Sequence, residues 1–242
     1  DHEGNEYYEE QPSMSINVEK GIYHCFSCHR KGNQLDFLAE YKCISLNHAV
    51  KLRDILKNAN ESLIDWQLAI DRLERNEAKR EEYKDKFKFT DKAFRQLKLG
   101  IEGPGRGLGF PVFLYGKLID VINYNPEEHP KYRKRKNSPN GIIMPYEQWM
   151  NNKKHTLIVA GQKDLGIALS KDFNAIAITG GEGEIPELFL NDFKNRTVFI
   201  AFDNDDQGRR GSLKLAVALK PYAKRIKVID LSKTCKEKGE EL

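Results

Sequence analysis

Residues 156–164 read TLIVAGQKD, and residues 197–208 read TVFIAFDNDDQG. In each, a short apolar run ends in a polar loop containing Gly and Asp. Such a run, bounded by turn residues, has the character of a buried strand. The flanking sequence continues the pattern. Asp164 to Phe173 has helical spacing, Ala175 to Thr179 is a strand, and Ile185 to Phe193 a helix. Thr197 to Phe202 is a strand, Gln207 to Tyr222 a helix, and Arg225 to Leu231 a strand. Strands alternating with helices predict a parallel sheet covered on both faces, an α/β fold. Ligands of such sheets sit at the carboxyl ends of the strands. Two loops therefore become candidates: residues 160–164 and 203–208.

Asp203 and Asp205 are two residues apart, so in extended chain they point the same way. Two adjacent carboxylates repel unless a cation joins them. Mg²⁺ accepts such oxygen ligands, especially where substrate phosphates complete its shell. Asp164 could add a third carboxylate from the other loop. An Asp before a helix is also an ordinary N-cap, and for any one of the three that reading stays open. Gly208 is expected to let the backbone turn sharply into the next helix.

Upstream, Gly100, Gly103, Pro104, Gly105, Gly107 and Gly109 break up a loop. Two strands are expected around Tyr115-Gly116, one over 110–114 and one over 118–124. The run KYRKRK at 131–136 supplies Lys131, Arg133, Lys134, Arg135 and Lys136. Lys and Arg contacts to phosphate dominate nucleic-acid affinity, although a solvated loop or a localisation signal has the same composition. Further upstream, YHCFSC at 23–28 places Cys25 and Cys28 at knuckle spacing. Zinc would need two more ligands, and a redox Cys-x-x-Cys is the competing reading. His24 or His29 could supply a further ligand, but each reads more simply as solvent-facing or locally packed. Cys43 reads as core, and Cys235 carries no signal. Leu35, Leu38 and Ala39, then Ala49, Leu52, Ile55 and Leu56, then Leu63, Trp66, Ile70 and Leu73 recur at helical spacing. Glu74 to Lys86 is almost wholly charged, so a solvated helix or linker is expected there, with a domain boundary near 74–88.

The whole chain has 242 residues, 39% hydrophobic and 31% charged, with a net charge of +4. That balance permits nucleic-acid binding without requiring it. No apolar run reaches the length of a membrane span, and no signal peptide opens the chain, so no membrane role is expected. Four cysteines without a secretion signal suggest a cytoplasmic setting. Asp1 is not methionine, so the natural start is expected upstream.

Together the two strand-end loops, with Gly180-Gly181 between them, resemble the TOPRIM domain of DnaG-type primases, topoisomerases and some nucleases. That domain carries Glu-Gly-x-x-Asp after its first strand and Asp-x-Asp-x-x-Gly after its third. Gly161, Asp164, Asp203, Asp205 and Gly208 match, whereas Ala160 stands where the family has its glutamate. Pro12 to Ile16, Glu19-Lys20-Gly21, Tyr23 to Cys28 and Lys31-Gly32 resemble the zinc ribbon that opens DnaG-type primases. Gly109 to Phe113, Gly116 to Ile119 and the Lys131-Tyr132-Arg133 segment resemble the subdomain ahead of TOPRIM.

The resemblance implies a zinc-ribbon template-binding domain over 1–59, a helical linker over 60–88 and a primase subdomain over 89–155. A TOPRIM domain over 156–232 and a truncated tail over 233–242 would follow. It implies a primase making RNA primers on single-stranded DNA from NTPs, in partnership with a replicative helicase acting in trans or fused after residue 242. Structural Zn²⁺ would be held by His2, Cys25 and Cys28, with a further cysteine ahead of Asp1. Catalytic Mg²⁺ or Mn²⁺ would be held by Asp203, Asp205 and Asp164. Lys131, Arg133, Lys134 and Arg135 would hold template or nucleotide. The glutamate missing at Ala160 would be the general base or a metal-shell residue. The chain is thus expected to be inactivated there, by an engineered change or by natural degeneration of the site, the otherwise intact motif favouring the first. Further family carboxylates would lie beyond the last strand, where Glu240 and Glu241 are poor substitutes. A TOPRIM nuclease and a non-enzymatic zinc-containing single-strand DNA binder are the alternatives.

Overall fold

The computed structural model describes residues 13–42, 44–58, 66–103, 105–135, 138–152, 155–180 and 185–231. It divides into two compact units, one ending at Asp54 and one beginning at Ile55.

The first unit is built on a three-stranded antiparallel sheet of β1 (Met14–Asn17), β2 (Ile22–Cys25) and β3 (Lys31–Asn33), in that order. Gly21, at φ +62, supplies the left-handed residue that closes the β1–β2 turn. Helix α1 (Gln34–Lys42) follows, and α2 (Leu46–Asn58) begins in this unit. Tyr23 is the buried centre of the sheet: its ring packs edge-on to Phe37 at 5.2 Å, and its hydroxyl donates to Glu40 at 2.9 Å.

The second unit opens with α3 (Trp66–Arg75), α4 (Glu77–Phe87) and α5 (Asp91–Leu97). Trp66, Ala69 and Leu73 form the buried stripe of α3, and the Trp66 indole donates to the Lys98 carbonyl at 2.7 Å. The charged stretch 74–86 differs from its sequence expectation. Asn76 and Thr90 cap α4 and α5, and α4 buries Tyr83 and Phe87 one turn apart. The Phe87 ring lies 5.1 Å from Phe89 and 4.8 Å from Tyr124. Two aromatic side chains at i and i+4 suffice to dock a helix whose other faces are charged. The segment is part of the second unit, and the division falls earlier, at Asp54–Ile55.

A three-stranded antiparallel sheet comes next: β4 (Leu108–Leu114), β5 (Lys117–Tyr124) and β6 (Tyr132–Arg133), in order β4-β5-β6. A bulge between Val112 and Phe113 shifts the β4–β5 register. The chain then forms β7 (Ile143–Met144), α6 (Tyr146–Met150), β8 (Thr156–Val159), α7 (Gln162–Ser170) and β9 (Ala175–Ile178). A 3-10 helix (Glu187–Phe193), β10 (Thr197–Ala201), α8 (Asp206–Leu219) and β11 (Arg225–Val228) complete it. The sheet runs β11-β10-β8-β9-β7, with β8 to β11 mutually parallel and β7 antiparallel to β9. The expected alternation is present, except that the helix expected over 185–193 is the tighter 3-10 form. Ile158, Ile176, Val198 and Ile200 are buried on this sheet. Among the described residues, no helix is long and apolar enough to cross a membrane.

Candidate active site and nucleic-acid groove

Strands β8 and β10 are neighbours, with Val159 paired to Ala201. Parallel neighbours lie about 4.8 Å apart, so Ala160 stands beside Phe202, and the two candidate loops leave the sheet side by side. Ala160 itself is half-buried.

Asp203 follows β10. It opens to solvent, yet its carboxyl is pushed up from the ordinary aspartate range, first by burial among surrounding protein and then by the charge of Asp205. Asp205 caps α8: its Oδ1 accepts the Gly208 N–H at 2.8 Å. The capping reading is therefore realised at Asp205, while its second oxygen is not used by that bond. Asp206 pairs with Arg209 at 2.6 Å and stays outside the pair. Gly208 corrects its expectation. It lies within α8, and its value is space: a Cβ there would meet the Asp203 carbonyl oxygen at 2.1 Å. Only a glycine lets the Asp203 backbone back onto the helix.

Asp164 sits in the first turn of α7, with a carboxylate oxygen 3.7 Å from where a Cβ on Gly161 would stand. The structure thus couples Asp203 to Asp205 and places Asp164 in the helix that follows the neighbouring strand β8. Among the described residues, no three His, Cys, Asp or Glu side chains converge into a metal centre. The like-charged pair does fit a divalent cation, which would relieve the repulsion that Asp203 feels.

The basic run lines a groove of about 500 Å³ in the second unit. Glu102, Arg106, Glu128, Arg133, Lys134 and Arg135 supply its charges, which leave it net positive. Lys131 is exposed and outside the lining, and Lys136 lies outside the described residues. Arg133 pairs with Glu128 at 3.1 Å and donates to the His129 carbonyl at 3.0 Å. Arg135 pairs with Glu102. Lys134 reaches the Pro139 carbonyl and Asn140 Oδ1, both at 2.8 Å, and faces the buried Asp120 at 3.9 Å. Burial lowers the Lys134 pKa from the ordinary lysine range, and the Asp120 charge opposes that shift. Arg106 makes no ion pair among the described residues. Its setting in Gly103-Pro104-Gly105-Arg106-Gly107 is the sequence signal that marks it. Gly107 is obligatory there, because a Cβ would meet the Tyr124 carbonyl oxygen at 1.8 Å. Glu102, Asn123 and Asp120 carried no signal.

In the first unit, Cys25 ends β2 and Cys28 lies in the following turn, both as free thiols. The Cys25 N–H donates to the Arg30 carbonyl at 2.7 Å, closing the knuckle. The Cys25 thiol is held below its ordinary range, first by the Cys28 backbone N–H, then by the Cys28 side chain, with Ser27 and Ser13 assisting against burial. The thiolate is the form that ligates zinc, so the knuckle fits half of a tetrahedral site. His24 packs edge-on to Phe26 at 4.6 Å, and His29 is exposed at φ +58, in keeping with their local roles. His2, Cys43, Gly181, Cys235, Glu240 and Glu241 lie outside the described residues.

Comparison with known proteins converges from both ends of the chain. Residues 6–67 match the family model described as the CHC2 zinc finger of DnaG. Over 43 residues the chain is 49% identical to the DNA primase of Lactococcus lactis subsp. lactis (strain IL1403), covering 18% of this chain and 7% of that protein. The DNA primase of Buchnera aphidicola subsp. Baizongia pistaciae (strain Bp) is 38% identical over 45 residues, 19% of this chain and 8% of the relative. The matched segment is thus a small fraction of these relatives' length. The fold of the zinc-binding and RNA polymerase domains of Aquifex aeolicus primase superposes with a TM-score of 0.50 at 19% identity. That superposition covers 92% of this chain and 69% of the other. A DnaG primase catalytic domain bound to ssDNA superposes with a TM-score of 0.58 at 16% identity, over 79% and 76% of the chains. The fold resembles that of solved primase cores, and residues 6–67 resemble a DnaG-type zinc ribbon.

Proposed function

We propose that this chain is the front part of a DnaG-type primase, making short RNA primers on single-stranded DNA by nucleotidyl transfer. One observation carries the reading. A DnaG-type zinc-ribbon sequence precedes a primase-core fold in which adjacent parallel strands bring Ala160, Asp203 and Asp205 to one edge.

Zn²⁺ would be held by Cys25 and Cys28, with His2 as a third ligand, in a structural role. Asp203 and Asp205, with Asp164 as the proposed third ligand, would hold Mg²⁺ or Mn²⁺. When bound, these ions stabilise the attacking and leaving oxygens of phosphoryl transfer. The remaining work belongs to side chains of the chain itself. Arg106, Arg133, Lys134 and Arg135 bind the phosphates of template and nucleotide and orient them. Asp205 holds the start of α8, and so the Asp203 loop, in place through its bond to Gly208. At position 160 an alanine can neither accept a proton nor join a metal shell, so the chain as written makes primers poorly at best. A replicative helicase, in trans or fused, is the proposed partner.

The same carboxylates would also serve a nuclease, and the zinc ribbon favours the primase. The two are separated in one reaction. Ala160→Glu protein is incubated with Mn²⁺, NTPs and an end-labelled single-stranded template. New ribonucleotide oligomers with an intact template support the primase; template nicking without NTP incorporation makes it a nuclease. Metal and DNA binding with neither product would make it a binding module.

A further inference from the structure

An anion-binding groove gains nothing from acids in its wall unless they do something else there. Glu102 and Glu128 both line the groove, and they are built differently. Glu128 forms a rim pair with Arg133 in which both side chains are about half exposed, 43% and 53%. Such a pair contributes little and opens readily. The Glu102 side chain is only 14% exposed. Its carboxylate accepts from the Asn123 amide on β5 at 3.2 Å and pairs with Arg135, while its own carbonyl accepts from Arg72 on α3. It is tied to two elements of the unit and cannot swing away with the solvent.

The backbone next to it is fixed as well. Asp120, 1% exposed on β5, accepts the Arg135 N–H at 3.4 Å and faces the Lys134 ammonium. The segment 133–135 is therefore pinned to β5 at the Arg135 main chain and faces it with the Lys134 ammonium, while Glu102 holds the Arg135 head. A guanidinium has donors on more than one edge. Holding Arg135 by a fixed carboxylate restrains the whole planar guanidinium, which lines the groove.

We propose that Glu102 is a positioning residue: it pre-orients Arg135 for phosphate, so its negative charge aids the binding of a nucleic-acid strand. The proposal rests on reading the groove as a nucleic-acid surface. It predicts a sign opposite to simple charge. Removing an acid from a cationic groove should tighten polyanion binding if only Coulomb attraction acts. If Glu102 orients Arg135, its loss weakens binding, because ordering a free guanidinium is then paid at each binding event.

The test is binding of a fluorescent oligothymidylate to the full chain across salt, by anisotropy, with thermal unfolding measured alongside. Glu102→Ala is expected to weaken binding roughly two- to tenfold, the cost of immobilising one long side chain. Glu102→Gln, which keeps an acceptor oxygen but no charge, is expected to lose less. Glu128→Ala, the same charge change on the rim, is expected to bind as tightly as the parent or tighter. If Glu102→Ala unfolds the protein, Glu102→Gln carries the test through its comparison with Glu128→Ala. Glu102 variants that bind as tightly as Glu128→Ala overturn the positioning role and leave the groove intact. A parent protein with no salt-sensitive binding overturns the groove reading and the proposal with it.

Discussion

Asp203 holds its proton to higher pH than a free aspartate, because the protein displaces water from it and because Asp205 lies near. For an acid with a raised pKa, the folded state binds the proton more tightly than the unfolded state. Its contribution to stability is full below the ordinary aspartate pKa of about 3.9 and is lost as pH rises through the raised value. Cation affinity runs the other way, growing as Asp203 ionises. We expect Asp205→Asn to bring the Asp203 pKa down, but only part of the way, since burial is the larger cause. Carboxyl titration by NMR reads this directly, and an unmoved pKa would mean the two charges are not coupled. Spacing alone made Asp203 and Asp205 legible, because a two-residue repeat after a strand fixes a common direction. Glu102 and Asp120 were not legible. Their partners are 33 and 15 residues away, and no local pattern marks a contact made through the fold.

At the scale of elements, β8 to β11 read clearly because each is a compact apolar run between helices. The helix α4 did not, because eight of its eleven residues are charged and charge suggests solvent. Two aromatics outweigh that count: burying a large apolar side chain stabilises by about 1.5–3 kcal/mol. Phe87 sits among Phe89, Phe110 and Tyr124. Phe87→Ala should therefore cost about 3–5 kcal/mol through lost burial and the cavity left behind. Chemical denaturation of the second unit measures it. A loss below about 1 kcal/mol, the range of exposed sites, would return α4 to the role of a solvated linker. Gly208 belongs to this scale too: its sequence setting suggests a turn residue, and in the fold it is the contact point between the Asp203 backbone and α8.

Across the whole molecule the charge is modest in sum, +4, and the groove carries four basic side chains against two acidic ones. Arg106→Ala and Arg133→Ala should each flatten the log–log salt dependence of single-strand binding by about 0.7. Unchanged slopes for both would make the groove a bystander. The strand ends at positions 160 and 203 are the proposed centre of primer synthesis. Ribonucleotide incorporation on a single-stranded template with Mn²⁺ tests it most directly, comparing the chain as it stands, Ala160→Glu, and Ala160→Glu combined with Asp203→Asn. Restoring a general base typically changes rate by ~10²–10⁴, so Ala160→Glu should exceed the alanine form by that order, and the added Asp203→Asn should abolish the gain. Equal rates for the alanine and glutamate forms, or a gain that survives Asp203→Asn, would contradict the account.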